Sequence, residues 1–135
     1  RSFGGVSLDE NIENEFGKIS DGWQQLKRDA VDYDLTGNPE YAFVAEVGSR
    51  VVGFACNRLY RHRSVGHVTN VAVLPEFQSK GVGKALIEAS LERFREKGAR
   101  YVRIETLEQN VKGLNFYPSL GFKEVGRQVH FFKEL

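Results

Sequence analysis

The sequence has a single cysteine, no long apolar run and no excess of either charge. One thiol, Cys56, closes no internal disulfide, so an oxidising compartment is not indicated. Its setting in VVGFACNRLY reads as a buried, inert thiol. The absence of any run of 18 apolar residues argues against a transmembrane helix. No secretory signal is visible, although the chain begins at Arg1 rather than methionine, and a cytoplasmic setting is the expectation. The 19 Lys and Arg against 18 Asp and Glu leave a net charge of +1. Proteins that grip nucleic acid by neutralising phosphates normally carry a basic excess, so neither nucleic acid nor membrane is an expected partner. No metal site is indicated.

What is present fits one domain spanning residues 1–135, long enough to bury a core without disulfide or metal. The first third is helical in rhythm. RSFGGVSL allows a short strand; DENIENEFGKI then spaces Ile12, Phe16 and Ile19 as a helix, with Asp9 as its cap. A second helix starts at Ser20 or Asp21 and carries Trp23, Leu26, Ala30 and Val31. After the TGNPE turn the rhythm becomes that of strands. YAFVAEV and RVVGFACNRLY flank the hairpin pair Gly48-Ser49, and VGHVTNVAVL follows. A helix is expected from about Gly83 to Lys97 with Gly98 as its left-handed cap, then the strand YVRIET and a short helix from Val111 to Leu120. FKEVGR and VHFFKEL read as a terminal hairpin of two strands. The order predicts a mixed α/β sheet, mostly antiparallel, with helices on both faces and a parallel pairing where the long helix crosses over.

VGHVTNVAVL has an irregular spacing. Val68, Val71 and Val73 cannot share one face of a regular strand, because the first step is three residues. Either a β-bulge lies near Thr69-Asn70, or Val68 faces the opposite layer of a strand buried on both sides. A bulge leaves main-chain groups unpaired, where a ligand can complete them.

The strand runs into FQSKGVGKAL. A Walker A loop fails here, because Lys84 is followed by Ala85 and Gln78 stands where its first glycine belongs. A dinucleotide fingerprint fails too, with Leu86 in place of its third glycine. Gln78-x-x-Gly81-x-Gly83 between a strand and a helix start is either an anion cradle of inward amides, with Lys80 and Lys84 nearby, or a turn that needs positive φ.

Val71-Ala72-Val73-Leu74-Pro75 followed by Gln78-x-x-Gly81-x-Gly83 resembles the first signature of the GNAT superfamily of N-acetyltransferases. Asn110-x-x-Gly113-x-x-Phe116-Tyr117-x-x-Leu120-Gly121-Phe122 resembles the second, in the same order and at a usual distance. The likeness runs from about Tyr41 to Leu135. It implies a bulged, splayed central strand and acetyl-CoA as cofactor. The pyrophosphate would lie on the amides of Gln78, Ser79, Lys80, Gly81, Val82, Gly83 and Lys84. The pantetheine arm would run along Val71, Ala72 and Val73, with Asn110 contacting it. Arginine is commoner than Gln78 in the family, and alanine than Gly113, so one charge toward the phosphates is missing.

Acetyl transfer needs an acid to return a proton to the leaving thiolate, whose ordinary pKa is about 8.5, and a tyrosine at about 10 suits that task. Tyr117 matches the family's general acid. The oxyanion donor would be a main-chain amide of the bulged strand, that of Val71. The base is open. His67 stands where many relatives carry a glutamate, Glu105 closes YVRIET, and a water relay needs neither. The acidic run Asp9, Glu10, Glu13 and Glu15 reads as a solvated helix face. The basic run Arg58, Arg61, His62 and Arg63 reads as solvated too, or as a contact for the coenzyme's ribose phosphate. The reading is an N-acetyltransferase that moves acetyl directly to a primary amine, on a small molecule or a protein, as monomer or homodimer. Its rivals are a non-catalytic acyl-CoA sensor and a nucleotide-binding domain.

Overall fold

A computed structural model of the chain describes residues 8–18 and 23–135. The expected strand in RSFGGVSL lies outside them, except for Leu8, which opens the first helix, and so does the start of the second helix at Ser20 or Asp21. Among the described residues no helix is long and apolar enough to cross a membrane. The chain forms two compact units, one built from residues 23–105 and the other from residues 8–18 and 106–135.

The larger unit is a four-stranded sheet, β1 (Ala42–Val47), β2 (Arg50–Tyr60), β3 (Val65–Val73) and β4 (Tyr101–Ile104), in that spatial order. The first three pair antiparallel and β4 joins β3 in parallel. Helices α2 (Trp23–Gly37) and α3 (Val82–Glu96) belong to this unit. Neighbouring β2 residues show that these helices take opposite faces. Asn57 bonds Ser90 of α3 at 2.9 Å, and Arg58 bonds Asp34 of α2 at 2.9 Å. Both faces are therefore covered, which explains why Ala55 and Cys56, consecutive on β2, are both fully buried.

The β1–β2 turn carries Gly48 at φ +63°, the first central position, where a two-residue hairpin favours glycine. Helix α3 ends in a Schellman motif. Gly98 at φ +82° donates to the Arg95 carbonyl at 3.0 Å, and Ala99 donates to that of Phe94 at 2.9 Å. The helix lies close to the sheet because two strand residues are glycines. A Cβ on Gly66 would stand 2.5 Å from the Phe94 ring, and one on Gly53 would stand 3.1 Å from Leu86 and 2.9 Å from the Ala72 carbonyl. Phe94, Ile87, Val52 and Val68 are buried to within 2% exposure, each contributing about 1.5–3 kcal/mol.

The irregularity in β3 is a bulge. Asn57 pairs with Val68 and Cys56 with Asn70, so Thr69 is the extra residue. Its hydroxyl donates to the Cys56 carbonyl at 3.1 Å. Val68, Val71 and Val73 oppose Asn57, Ala55 and Gly53, which puts all three on the α3 face.

The smaller unit holds α1 (Leu8–Phe16) and α4 (Val111–Ser119). Asp9 sits inside α1 rather than before it. The amides of Asn11 and Gln109 exchange two hydrogen bonds, at 3.1 and 2.8 Å. The expected terminal hairpin is absent: residues 122–135 carry no strand, and Val125, Val129 and Phe131 are exposed. Two short strands without a third make a marginal hairpin. Arg127 instead reaches Glu124 at 2.5 Å and also meets Glu108.

Candidate functional site

In the larger unit β4 stops early. It pairs with Val65 to Val68 of β3 and ends at Ile104, while β3 continues through the bulge to Val73. Residues 69–73, among them Val71, Ala72 and Val73, therefore have no strand beside them on the β4 side within this unit. Main-chain groups on such an edge need a partner, as any strand edge does. The edge begins beside the bulge, because the last β4 pair is Val68 with Ile104 and Thr69 follows it.

Past Val73 the chain turns through Pro75–Phe77 into the glycine loop. Ser79 takes φ +58° and Gly81 φ +85°. A Cβ on Gly81 would meet nothing within 4 Å, so the conformation, not crowding by the protein, calls for glycine. Helix α3 starts at Val82 with no side chain capping it, and its first internal bond runs from the Ala85 amide to the Gly81 carbonyl at 3.0 Å. The amides of Val82, Gly83 and Lys84 precede that bond and have no acceptor inside the helix. Gln78 does not reach outward. Its Nε2 donates to the Val73 carbonyl at 3.0 Å, tying the loop to the strand end. Lys80 lies over the Phe77 ring, and Lys84 sits 3.9 Å from Glu88.

His67 and Glu105, separate candidates in the sequence, meet: His67 Nε2 lies 2.7 Å from Glu105 Oε2. The second ring nitrogen, Nδ1, is 3.2 Å from the Tyr60 hydroxyl, and Arg103 donates to Glu105 Oε1 at 2.6 Å. Glu105 just follows the end of β4, and Arg103 opposes His67 in the parallel register. The four side chains form one chain, with Glu105 about half exposed and His67 mostly covered. Tyr60 and Arg103 escaped the sequence reading. Both are legible only once the registers are known, since Tyr60 lies two residues beyond Arg58, the partner of His67.

In the smaller unit Asn110 caps α4. Its Oδ1 accepts from the Gly113 amide at 3.2 Å, and its Nδ2 donates to the Thr106 hydroxyl at 2.8 Å. Gly113 makes room for this arrangement, since a Cβ there would lie 2.8 Å from Asn110 Nδ2 and 2.9 Å from Thr106 Oγ1. Tyr117 lies on the same helix between two edge-on aromatic neighbours, Phe116 at 5.4 Å and Phe122 at 6.1 Å between ring centroids. Burial pushes its phenol above the usual tyrosine range, because the phenolate loses solvation.

The arrangement in the larger unit suits an extended ligand with an anionic end, and the carboxylate–imidazole pair can take a proton. A family model described as the acetyltransferase (GNAT) family matches residues 8–122. An N-alpha-acetyltransferase of Sulfurisphaera tokodaii is 35% identical over 103 residues, covering 68% of this chain and 62% of that protein. The chain thus spans less than two thirds of the length of this curated relative. Among solved structures, Ard1 from Thermoplasma volcanium matches with a TM-score of 0.66 at 29% identity, covering 85% of this chain and 73% of that one. The aminoglycoside N-acetyltransferase AAC(6')-Iy in complex with CoA matches with a TM-score of 0.64 at 25% identity, covering 84% and 91%.

Proposed function

The chain belongs to the acetyltransferase (GNAT) family, and from that premise we propose that it transfers acetyl from acetyl-CoA directly to a primary amine. The observation that carries this is the open edge of β3 from residue 69 to Val73 running straight into an uncapped helix start. An extended polar chain with a pyrophosphate at one end fits that pair of features: a strand edge for its amides and free N–H groups for its charge.

In this reading the main chain of Val71, Ala72 and Val73 holds the pantetheine arm. The amides from Gln78 to Lys84 hold the pyrophosphate, with Lys80 and Lys84 adding charge. Asn110 contributes the second hydrogen of its Nδ2, since Thr106 takes the first. Acetyl-CoA supplies the acetyl group as a thioester. The Val71 amide stabilises the oxyanion, Glu105 with His67 accepts the proton of the amine, and Tyr117 holds a proton for the leaving sulfur.

The acceptor we favour is the α-amine of a polypeptide, because the Sulfurisphaera tokodaii relative is an N-alpha-acetyltransferase. A small amine is the second reading, favoured by the likeness to an aminoglycoside N-acetyltransferase. The test is calorimetric titration with acetyl-CoA, using ATP as control, followed by thiol release with peptides bearing free N-termini and with an aminoglycoside. Micromolar binding of acetyl-CoA alone, with thiol released by one acceptor class, supports the reading. No heat and no thiol release would overturn it, and equal binding of ATP would favour a nucleotide-binding domain.

A further inference from the structure

We propose that Arg50 and Lys80, both held over the ring of Phe77, form a phosphate subsite that reads the 3′-phosphate on the ribose of the coenzyme. The inference rests on the acetyl-CoA reading above, and adds to that ligand's contacts Arg50, which lies outside both sequence motifs.

Arg50 opens β2, far in sequence from the loop, and the sheet brings it there. Gly53 pairs with Val73, and the Leu74 amide donates to the Val52 carbonyl at 2.8 Å, so the residues before Val52 run beside those after Leu74. The Arg50 guanidinium centre lies 5.6 Å from the centroid of Phe77 and the Lys80 ammonium 5.7 Å from the same centroid. Glu76 fixes the guanidinium further, accepting from Arg50 Nη2 at 2.9 Å. That contact engages one of the five guanidinium N–H groups, and the side chain remains about half exposed. Lys80 is exposed, and its ammonium has no carboxylate within ion-pair distance among the described residues.

Two cations therefore lie against one aromatic ring, and Glu76 pairs with one of them, Arg50. A phosphate dianion that meets both side chains gains charge-assisted hydrogen bonds from each. The ring and Glu76 hold the cationic heads in advance, which lowers the entropy lost on binding. Lys80 is also a residue of the glycine loop, so the subsite adjoins the amides assigned to the pyrophosphate. A ribose 3′-phosphate is a second anionic group a few bonds from a pyrophosphate, and it distinguishes coenzyme A from dephospho-coenzyme A. The other basic run, Arg61 to Arg63, precedes β3, and Val65 and Val73 at the strand's two ends are roughly 26 Å apart at strand rise. That distance removes it as the ribose-phosphate contact.

The test compares dissociation constants for coenzyme A and dephospho-coenzyme A at fixed low salt, in the unaltered protein and in Arg50→Met, Lys80→Met and Arg95→Met. Arg95 is an exposed α3 residue paired with Glu92 and controls for a general charge effect. The unaltered protein and Arg95→Met should prefer coenzyme A by about tenfold, and the Arg50 and Lys80 variants should bring the ratio to about two or three. A ratio near one in the unaltered protein, or one unchanged by both substitutions, overturns the subsite while leaving coenzyme binding in place. A ratio lowered equally by Arg95→Met also overturns it, because the preference then follows overall charge. Failure of both compounds to bind the unaltered protein overturns the acetyl-CoA reading and takes the subsite with it.

Discussion

His67 presents Nε2 to Glu105 at 2.7 Å and Nδ1 to the Tyr60 hydroxyl at 3.2 Å, so both nitrogens of the ring are engaged. A carboxylate only accepts, which places the proton of a neutral imidazole on Nε2 and leaves Nδ1 to accept from Tyr60. In that state the imidazole has no lone pair left for an amine. Glu105 has accepted one bond on each oxygen and is half exposed, so it keeps lone pairs for a proton. Glu105→Gln should therefore lower kcat by about 10²-fold or more, and His67→Ala by about tenfold, through loss of orientation. Binding of acetyl-CoA should change in neither. Steady-state kinetics with calorimetry decides the matter, and a His67→Ala loss equal to that of Glu105→Gln would transfer the base to the imidazole.

The Tyr60 hydroxyl meets the His67 ring, so in the proposed mechanism it is a positioning residue. Tyr60→Phe keeps the ring and removes the hydroxyl that Nδ1 accepts from, so the imidazole loses one of its two anchors while Glu105 still holds the proton on Nε2. The expected outcome is a fall in kcat of about threefold to tenfold, an altered pH–rate profile and an unchanged KM for acetyl-CoA. A lower melting temperature with an unchanged profile would mean that Tyr60 only packs.

Tyr117 is the proposed donor of a different proton. Burial raises its phenol above the ordinary value, so it stays protonated at every pH where a free tyrosine would, and beyond. If it is the acid, its ionisation should not limit kcat until the pH exceeds about 10, and Tyr117→Phe should lower kcat by about 10²-fold. Full activity of Tyr117→Phe at all pH values would remove the acid role. Binding of acetyl-CoA without any turnover in the unaltered protein would favour the sensor reading.

Much of this architecture can be read from the chain because local chemistry dictates it. The three-residue step from Val68 to Val71 requires a bulge if both valines face one helix, and Thr69 supplies it. Gly48 and Gly98 sit where positive φ is needed, and they mark the hairpin and the end of α3. The terminal strands were misread for the converse reason. FKEVGR and VHFFKEL have strand-like composition, but strands need partners, and composition names none. The link from Tyr60 to Glu105 was hidden because it depends on two registers, one antiparallel and one parallel. His67 and Glu105 were both visible as candidates, yet 38 residues apart nothing in the sequence joins them.

The glycine at position 66 is a packing requirement with a measurable cost. A Cβ there would stand 2.5 Å from a ring that is only 1% exposed, so neither the ring nor the strand can yield freely. Gly66→Ala should destabilise the protein by about 1–3 kcal/mol, read from denaturant unfolding. Adding Phe94→Leu to that variant should recover part of the loss, because the smaller side chain vacates the contact. Additive losses in the double variant would show that the two positions do not meet.

Cys56 tests whether transfer is direct. The thiol is fully buried on β2, and desolvation pushes it up to about 11, with the Asp34 carboxylate adding to the rise. At pH 8 on the order of one molecule in a thousand would carry the thiolate, the only form that attacks a thioester. An acetyl-enzyme on this residue is therefore disfavoured twice, by access and by ionisation. An aromatic disulfide reagent should leave the native thiol unreacted over minutes and titrate it at once in denaturant. After incubation with acetyl-CoA without an acceptor, the Cys56 peptide should show no added mass in a mass spectrum. Acetylation there that a later-added amine discharges would establish a two-step transfer and end the direct mechanism.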